Sequence, residues 1–354
     1  MNQKLLYRIV FFLFIVSFAA SVYFFYKANF EQQIPTVNPN PYNFVTENRT
    51  LDITKRIGLG VFEQNQESSN LSSVIDFENV VDRKMQYDLL FRAWGDNDNV
   101  FPTYLVPYFK QYKLEPVITW EPWKRDFKNG NILQPEYSLS SIVYGLHDGY
   151  IKSWAIATKE AQIPIIIRFA HEMVTPEGTK SWYPWQGEPD NYVAAYRRIV
   201  QIFRDNGATN VKFMWNPIVY DGSGSIDIYY PGDNYIDYIG LSVINLGTGF
   251  SKSGVKLTWT TCDEKFIPQY AAIANYTKPV ILAEILSSDT GGSKALWYNE
   301  CFPLFKTATK LVGMISVQVD DTYSISEVNA DWRVNSTGSS LQAFKTGVKN
   351  GDFK

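Results

Sequence analysis

Ile163-Pro-Ile-Ile-Ile-Arg-Phe-Ala-His-Glu-Met173 stays apolar almost without interruption until it reaches a histidine and a glutamate. A strand with one wet face alternates apolar and polar residues. A run that stays apolar is buried on both faces, as in a parallel sheet covered by helices. Outward from the core of this stretch, 164–169, similar runs recur at 57–62, 85–94, 116–120, 211–215, 236–243, 279–285 and 311–319, so that eight are present. Between them lie longer amphipathic stretches. In 189–206, Tyr192, Tyr196, Ile199, Val200 and Phe203 share one helical face, Arg197, Arg198 and Arg204 lie elsewhere, and Gly207 ends the pattern. Helices with a weaker period are expected within 138–162, 263–276 and 293–310. Strand–helix alternation repeated eight times over roughly 300 residues predicts an α/β fold, a single-domain (β/α)8 TIM barrel. The alternative is a doubly wound open sheet, but neither G-x-G-x-x-G nor G-x-x-x-x-G-K-[ST] occurs to equip one.

Composition narrows the function. Across 354 residues, 33 Lys and Arg nearly balance 36 Asp and Glu, so no basic face for nucleic acid is implied. The chain has only two histidines, His147 and His171, and two cysteines, Cys262 and Cys301, too few for a Cys/His zinc site. Aromatic residues make up 16%, a load that suits both core filling and gripping the apolar faces of sugar rings.

At the N-terminus, Lys4 and Arg8 precede an apolar run of eighteen residues, 9–26, closed by Lys27. At 1.5 Å per residue it reaches ~27 Å, about a bilayer's hydrocarbon thickness. The expectation is a signal anchor, or a signal peptide cleaved near Ala20, over 1–30. A Pro/Asn-rich tether follows over 31–50, then an exported catalytic domain over 51–354. Outside the cytoplasm a Cys262–Cys301 disulfide becomes feasible, though sequence cannot place the two Cα atoms together.

Catalytic groups of such barrels sit at the C-terminal ends of strands. Three glutamates lie there: Glu121 in Ile-Thr-Trp-Glu-Pro-Trp, Glu172 in Arg-Phe-Ala-His-Glu-Met, and Glu284 in Ile-Leu-Ala-Glu-Ile. A glutamate at the end of a buried strand is costly unless it is paired or used. Each could simply tie strands together through Arg168, Arg92 or Lys278. Several in one register favour chemistry, and two facing carboxylates suit glycosidic bond cleavage. No G-x-S-x-G supports a serine nucleophile.

These segments resemble, in order along the chain, those of glycoside hydrolase family 26, retaining (β/α)8 enzymes that are mainly β-mannanases. The resemblance rests on 163–173 with Trp182-Tyr-Pro-Trp185, Ile118-Thr-Trp-Glu-Pro122, Gly145-Leu-His-Asp-Gly-Tyr-Ile151 and Gly207-Ala-Thr-Asn-Val-Lys-Phe-Met-Trp215. It continues through Tyr229-Tyr-Pro-Gly-Asp233 with Tyr235-Ile-Asp-Tyr-Ile-Gly240, Lys278-Pro-Val-Ile-Leu-Ala-Glu284 and Asp331-Trp-Arg333. It implies Glu172 as general acid/base and Glu284 as nucleophile, with His171, His147, Arg168 and Glu121 around the substrate. Trp120, Trp182, Trp185 and Trp215 are the candidate sugar platforms, with Trp120 and Trp215 expected to face the mouth. The implied activity is double-displacement hydrolysis of a β-linked polysaccharide, β-1,4-mannan first, then mixed-linkage β-glucan or β-xylan. A weakly hydrolytic polysaccharide-handling protein on the same fold is the alternative. No metal or other cofactor is expected, and the chain is expected to be a monomer. Three departures stand out: Val174 begins a longer loop where the family has Asn, Ile244 replaces a Tyr that contacts the nucleophile, and Gln318 ends strand eight in place of a Trp. Asn245 is the expected substitute for the lost Tyr hydroxyl.

Overall fold

The computed structural model describes residues 56–97, 99–125, 134–175, 182–219, 225–250, 256–320, 331–349 and 351–354. The expected anchor and tether, and most of the loop that begins at Val174, lie outside the described residues. Among the described residues, no helix is long and apolar enough to cross a membrane.

Eight parallel strands close into a barrel: β1 (Gly58–Glu63), β2 (Tyr87–Ala93), β3 (Glu115–Glu121), β4 (Ile165–Phe169), β5 (Val211–Trp215), β6 (Tyr238–Asn245), β9 (Val280–Ser287) and β10 (Leu311–Gln318). A two-stranded hairpin, β7 (Gly249–Phe250) with β8 (Lys256–Leu257), is inserted after β6. The outer layer comprises α1 (Ser72–Val81), α2 (Val106–Tyr112), α3 (Leu139–Val143), α4 (Asp148–Ala161), α5 (Pro189–Asp205), α6 (Cys262–Ala272), α7 (Lys294–Thr307) and α8 (Gly338–Val348).

The continuous apolar runs are explained by two separate cores. One face of the strands fills the barrel with Tyr87, Leu89, Val117, Ile166, Met214, Ile281, Ala283 and Ile315. The other face joins the helices in a much larger cluster that holds Trp120, Trp154, Trp215 and Phe203. The barrel bottom depends on glycine at close approach. A Cβ at Gly60 would fall 2.7 Å from Tyr87 Cβ, and one at Gly313 2.8 Å from its ring. Tyr87 occupies the space those missing side chains leave.

The helix expected over 189–206 forms as α5, with the five named residues buried. The stretch 138–162 differs, because it breaks into α3 and α4. Gly145 takes a φ of +83° between them, a left-handed turn that glycine adopts without steric cost, and the chain restarts at His147. Cys262 on α6 and Cys301 on α7 are bonded, with their Cα atoms 5.3 Å apart. Closing a loop of 39 residues contributes about 4 kcal/mol by chain-entropy arithmetic.

Candidate active site

Pleat parity decides which side chains reach the mouth. On β3 and β4, Val117 and Ile166 point inward, so Thr119, Glu121 and Arg168 follow one layer higher. Arg168 is fully buried and uses its whole fork: Nε donates to Thr119 Oγ1 at 2.8 Å, Nη1 to Asn216 Oδ1 at 3.0 Å and Nη2 to Glu284 Oε1 at 2.5 Å. A buried guanidinium is tolerable only when its donors are satisfied in this way. Its cation also lies 5.7 Å from the centre of the Phe91 ring.

Beyond β4 the backbone departs from the strand. Ala170 and Glu172 take φ of 42° and 54°, left-handed values that cost non-glycine residues roughly 1–2 kcal/mol each. Neighbouring elements hold this segment in place. The Ala170 N–H donates to Trp120 O at 3.1 Å, and the Glu172 N–H to Asn216 O at 2.8 Å. Gln186 Nε2 donates to Glu172 O at 2.7 Å, and Trp185 Nε1 to His171 O at 2.8 Å. The strain aims Glu172 into the mouth.

Glu284 arrives by a different device. The register passes from Leu241↔Leu282 to Ser242↔Glu284, and on the other side from Met314↔Leu282 to Ser316↔Ile285. Both neighbours therefore see one extra residue in β9, a bulge at Ala283 and Glu284. Without it, alternation from the inward Ala283 would turn Glu284 outward.

The two carboxylates interact. Burial and the adjacent Glu284 charge push Glu172 up to about 7, against the opposing pull of the Ser242 hydroxyl and Arg168. Burial holds His171 well below its usual range, with Arg168 and Arg125 adding to the effect, so the ring is neutral. Its Nε2 lies 3.1 Å from the Tyr183 hydroxyl. Burial, reinforced by Glu172, keeps Tyr183 protonated.

The other named residues divide. Glu121 is inward and buried, and its partner is Arg125, four residues on in the same segment, whose Nε donates to it at 3.1 Å, rather than any of the three expected cations. His147 packs beneath a loop: Nε2 donates to Glu136 O at 2.7 Å and lies 3.0 Å from Ser141 Oγ. The expectation that Trp120 and Trp215 face the mouth is corrected. Both have even-odd positions opposite to the inward Thr119 and Met214, both are 0% exposed, and both pack in the helix layer. Trp120 Nε1 donates to Tyr150 at 3.2 Å. Trp185 is 1% exposed and stacked on Tyr183 at 4.4 Å, which leaves it no free face. Trp182 alone among the four keeps exposed surface. Asn245 is likewise corrected. It lies on the outward side of β6, where its Nδ2 donates to Ser287 Oγ at 3.0 Å and its Oδ1 accepts from Gly247 and Thr260 N–H groups. It fastens loops and does not hold Glu284.

Sequence reading missed Asn216, Thr119, Ser242 and Tyr183. No local signal marked the first three, because parity runs within a strand and the inward face of each is set by its neighbours. Gly240 accompanies Asn216, since a Cβ there would fall 2.8 Å from the Asn216 side chain. On the far side of the mouth, Leu286, Val317, Val319 and Trp332 form an apolar cluster with Phe62, Ile244 and Leu246 against it. Among the described residues no group of three or more His, Cys, Asp or Glu is arranged to hold a metal ion.

This geometry can be set beside known proteins. The family model for glycosyl hydrolase family 26 matches residues 126–254. Endoglucanase H of Acetivibrio thermocellus is 31% identical over 306 residues, which are 84% of this chain and 30% of that protein, so the chain spans about a third of its relative's length. Among solved structures, a family 26 β-mannanase from Bacteroides ovatus matches with TM-score 0.57 at 17% identity, covering 85% of this chain and 90% of that one. A modular endo-β-1,4-mannanase from Cellulomonas fimi matches with TM-score 0.57 at 17% identity, covering 85% and 72%. Sequence match and barrel point the same way: the chain is similar to glycosyl hydrolase family 26, whose model matches its residues 126–254.

Proposed function

We propose that this chain is a retaining glycoside hydrolase of β-linked polysaccharides, with Glu172 as acid/base and Glu284 as nucleophile. The observation that carries the reading is the contrast between the two carboxyls. Glu172 is held up at about 7 by burial and by Glu284, whereas Glu284 receives a 2.5 Å bond from a buried arginine. One is kept as a proton donor near neutrality, and the other is oriented by a buried guanidinium. In the first step Glu284 attacks the anomeric carbon while Glu172 gives its proton to the departing glycosidic oxygen. In the second, Glu172 takes a proton from water, which attacks the same carbon and frees Glu284. Arg168 keeps Glu284 aimed, and the neutral His171–Tyr183 pair is available to bond sugar hydroxyls.

A β-glucan is the first substrate to test. The 31% identical relative is named an endoglucanase, whereas the structures named as mannanases alone lie at 14–17% identity. Mannan, which the family resemblance put first, becomes the second. The buried Cys262–Cys301 bond supports export to an oxidising compartment as part of the same reading. A fragment from about Thr50 onward is to be incubated with mixed-linkage β-glucan, β-1,4-mannan and β-xylan, and new reducing ends counted. Release from glucan above mannan is the expected result. Release from mannan alone refutes the glucan assignment, and binding without release from any glycan refutes hydrolysis.

A further inference from the structure

Ser242 lies on β6 in register with Glu284 on the adjacent strand. Two residues below it on the same face, Gly240 touches Asn216, and Asn216 O holds the Glu172 backbone. Ser242 therefore stands beside Glu284 and on the strand next to Asn216, whose carbonyl holds the Glu172 backbone. Its hydroxyl is buried, and among the described residues it has no hydrogen bond of good geometry. A buried hydroxyl without a partner costs roughly 1–3 kcal/mol, so it is retained where a partner is formed at another stage.

Building on the reading of the site given above, we propose that Ser242 is a positioning residue that donates its hydrogen to the Glu172 carboxylate whenever Glu172 has surrendered its proton. In the first step the Glu172 proton passes to the leaving oxygen as the C–O bond breaks, and Ser242 O–H swings onto the new carboxylate. In the second, water protonates Glu172 and the Ser242 bond is released. The serine proton is never transferred. The other groups facing Glu172 do not duplicate this role. Glu284 repels the anion, Arg168 is committed to Glu284, Thr119 and Asn216, and Tyr183 is paired with His171. Burial of Glu172 and the pull of Ser242 on its acidity are consistent with the same arrangement.

Ser242→Ala and Ser242→Thr are to be compared with wild type. The first readout needs no activity: the Glu172 side-chain carboxyl is followed by carbon NMR in labelled protein, assigned by its loss in Glu172→Gln. Loss of a hydrogen bond to the charged form should move the midpoint up by about one pH unit in Ser242→Ala, with Thr restoring it. The alkaline limb of kcat/KM should move by the same amount. On an aryl glycoside with a good leaving group, kcat should fall about tenfold with a parallel fall in KM, because the covalent intermediate accumulates. An unchanged Glu172 midpoint in Ser242→Ala overturns the proposal, whatever the activity. A wild type that hydrolyses no glycoside overturns the proposed function instead, and the titration still decides whether Ser242 bonds Glu172.

Discussion

On the β3–β4–β5 side of the mouth, the inward positions carry Thr119, Arg168 and Asn216, joined into one network that ends on Glu284. On the β1–β6–β9–β10 side, the corresponding layers carry Phe62, Ile244, Leu286 and Val317, which pack with Val319 and Trp332. Both walls come from the same pleat arithmetic, yet they store energy differently. The polar wall consists of directional bonds, so removing one partner strands the others in a place water scarcely reaches. The apolar wall consists of non-directional contacts, which can adjust to a small loss. Chemistry requires the first kind of wall, and the second gives it a firm backing.

The comparison can be broken most severely at the carboxylates. Glu172→Ala should lower kcat on a natural glycan by about 10²–10⁴-fold, while an activated aryl glycoside retains its first step. Azide should then yield the β-glycosyl azide. Glu284→Ala should lose both substrates, and azide should give the opposite anomer by direct attack. Equal losses on both substrates with no azide product would refute the assignment of roles.

Arg168→Met should come next. It leaves the Glu284 charge, Thr119 and Asn216 without their shared donor, and truncating one partner of a buried charged pair typically costs about 3–5 kcal/mol. Denaturant unfolding measures the loss. A change below about 1 kcal/mol would mean that the network is not cooperative.

Asp88 supplies the counter-example outside the mouth. It is fully buried with neither carboxyl oxygen bonded among the described residues, and burial and the Glu67 charge raise it well above its usual range despite Arg92. A carboxyl raised on folding contributes stability that is complete below its unfolded value, about 3.9, and is lost as pH rises toward the folded value. Asp88→Asn should therefore be more stable than wild type at pH 7, with the advantage vanishing near pH 4. Thermal melts at the two pH values test this, and an advantage that is larger at pH 4 would contradict it.

Ile244→Val should have the smallest effect. Removing one methylene from the partly exposed edge of the apolar wall should cost about 0.5–1 kcal/mol and leave kcat within about twofold. A tenfold fall in kcat would show that this wall also touches the reacting sugar.

The eight strands were legible because burial on both faces removes polar residues from a strand, a pattern that survives in any single sequence. The glutamates were legible because ionisable groups at the ends of such strands are rare enough to stand out. The tryptophans were misread for a related reason. Trp120 and Trp215 close apolar runs in the sequence as the glutamates do, but facing direction follows parity, and parity must be counted from a residue already known to point inward. Asn245 failed by the same count. The β9 bulge left no mark in Ile-Leu-Ala-Glu-Ile, because an extra residue is defined only against the neighbouring strands. The hydrogen bonds of Arg168 join residues 48 to 116 positions apart, and Ser242 meets Glu284 only across two strands, both beyond any local pattern.

By itself the sequence determined the barrel and the order of its elements, which follow from hydrophobic periodicity, and it singled out three glutamates near strand ends, of which the family resemblance alone chose Glu172 and Glu284. The tertiary structure alone decided which carboxyl is raised and which is bonded by the buried arginine. That difference arises from distances across the barrel: the repulsion of Glu172 by Glu284, and the single bond from Arg168 that only Glu284 receives.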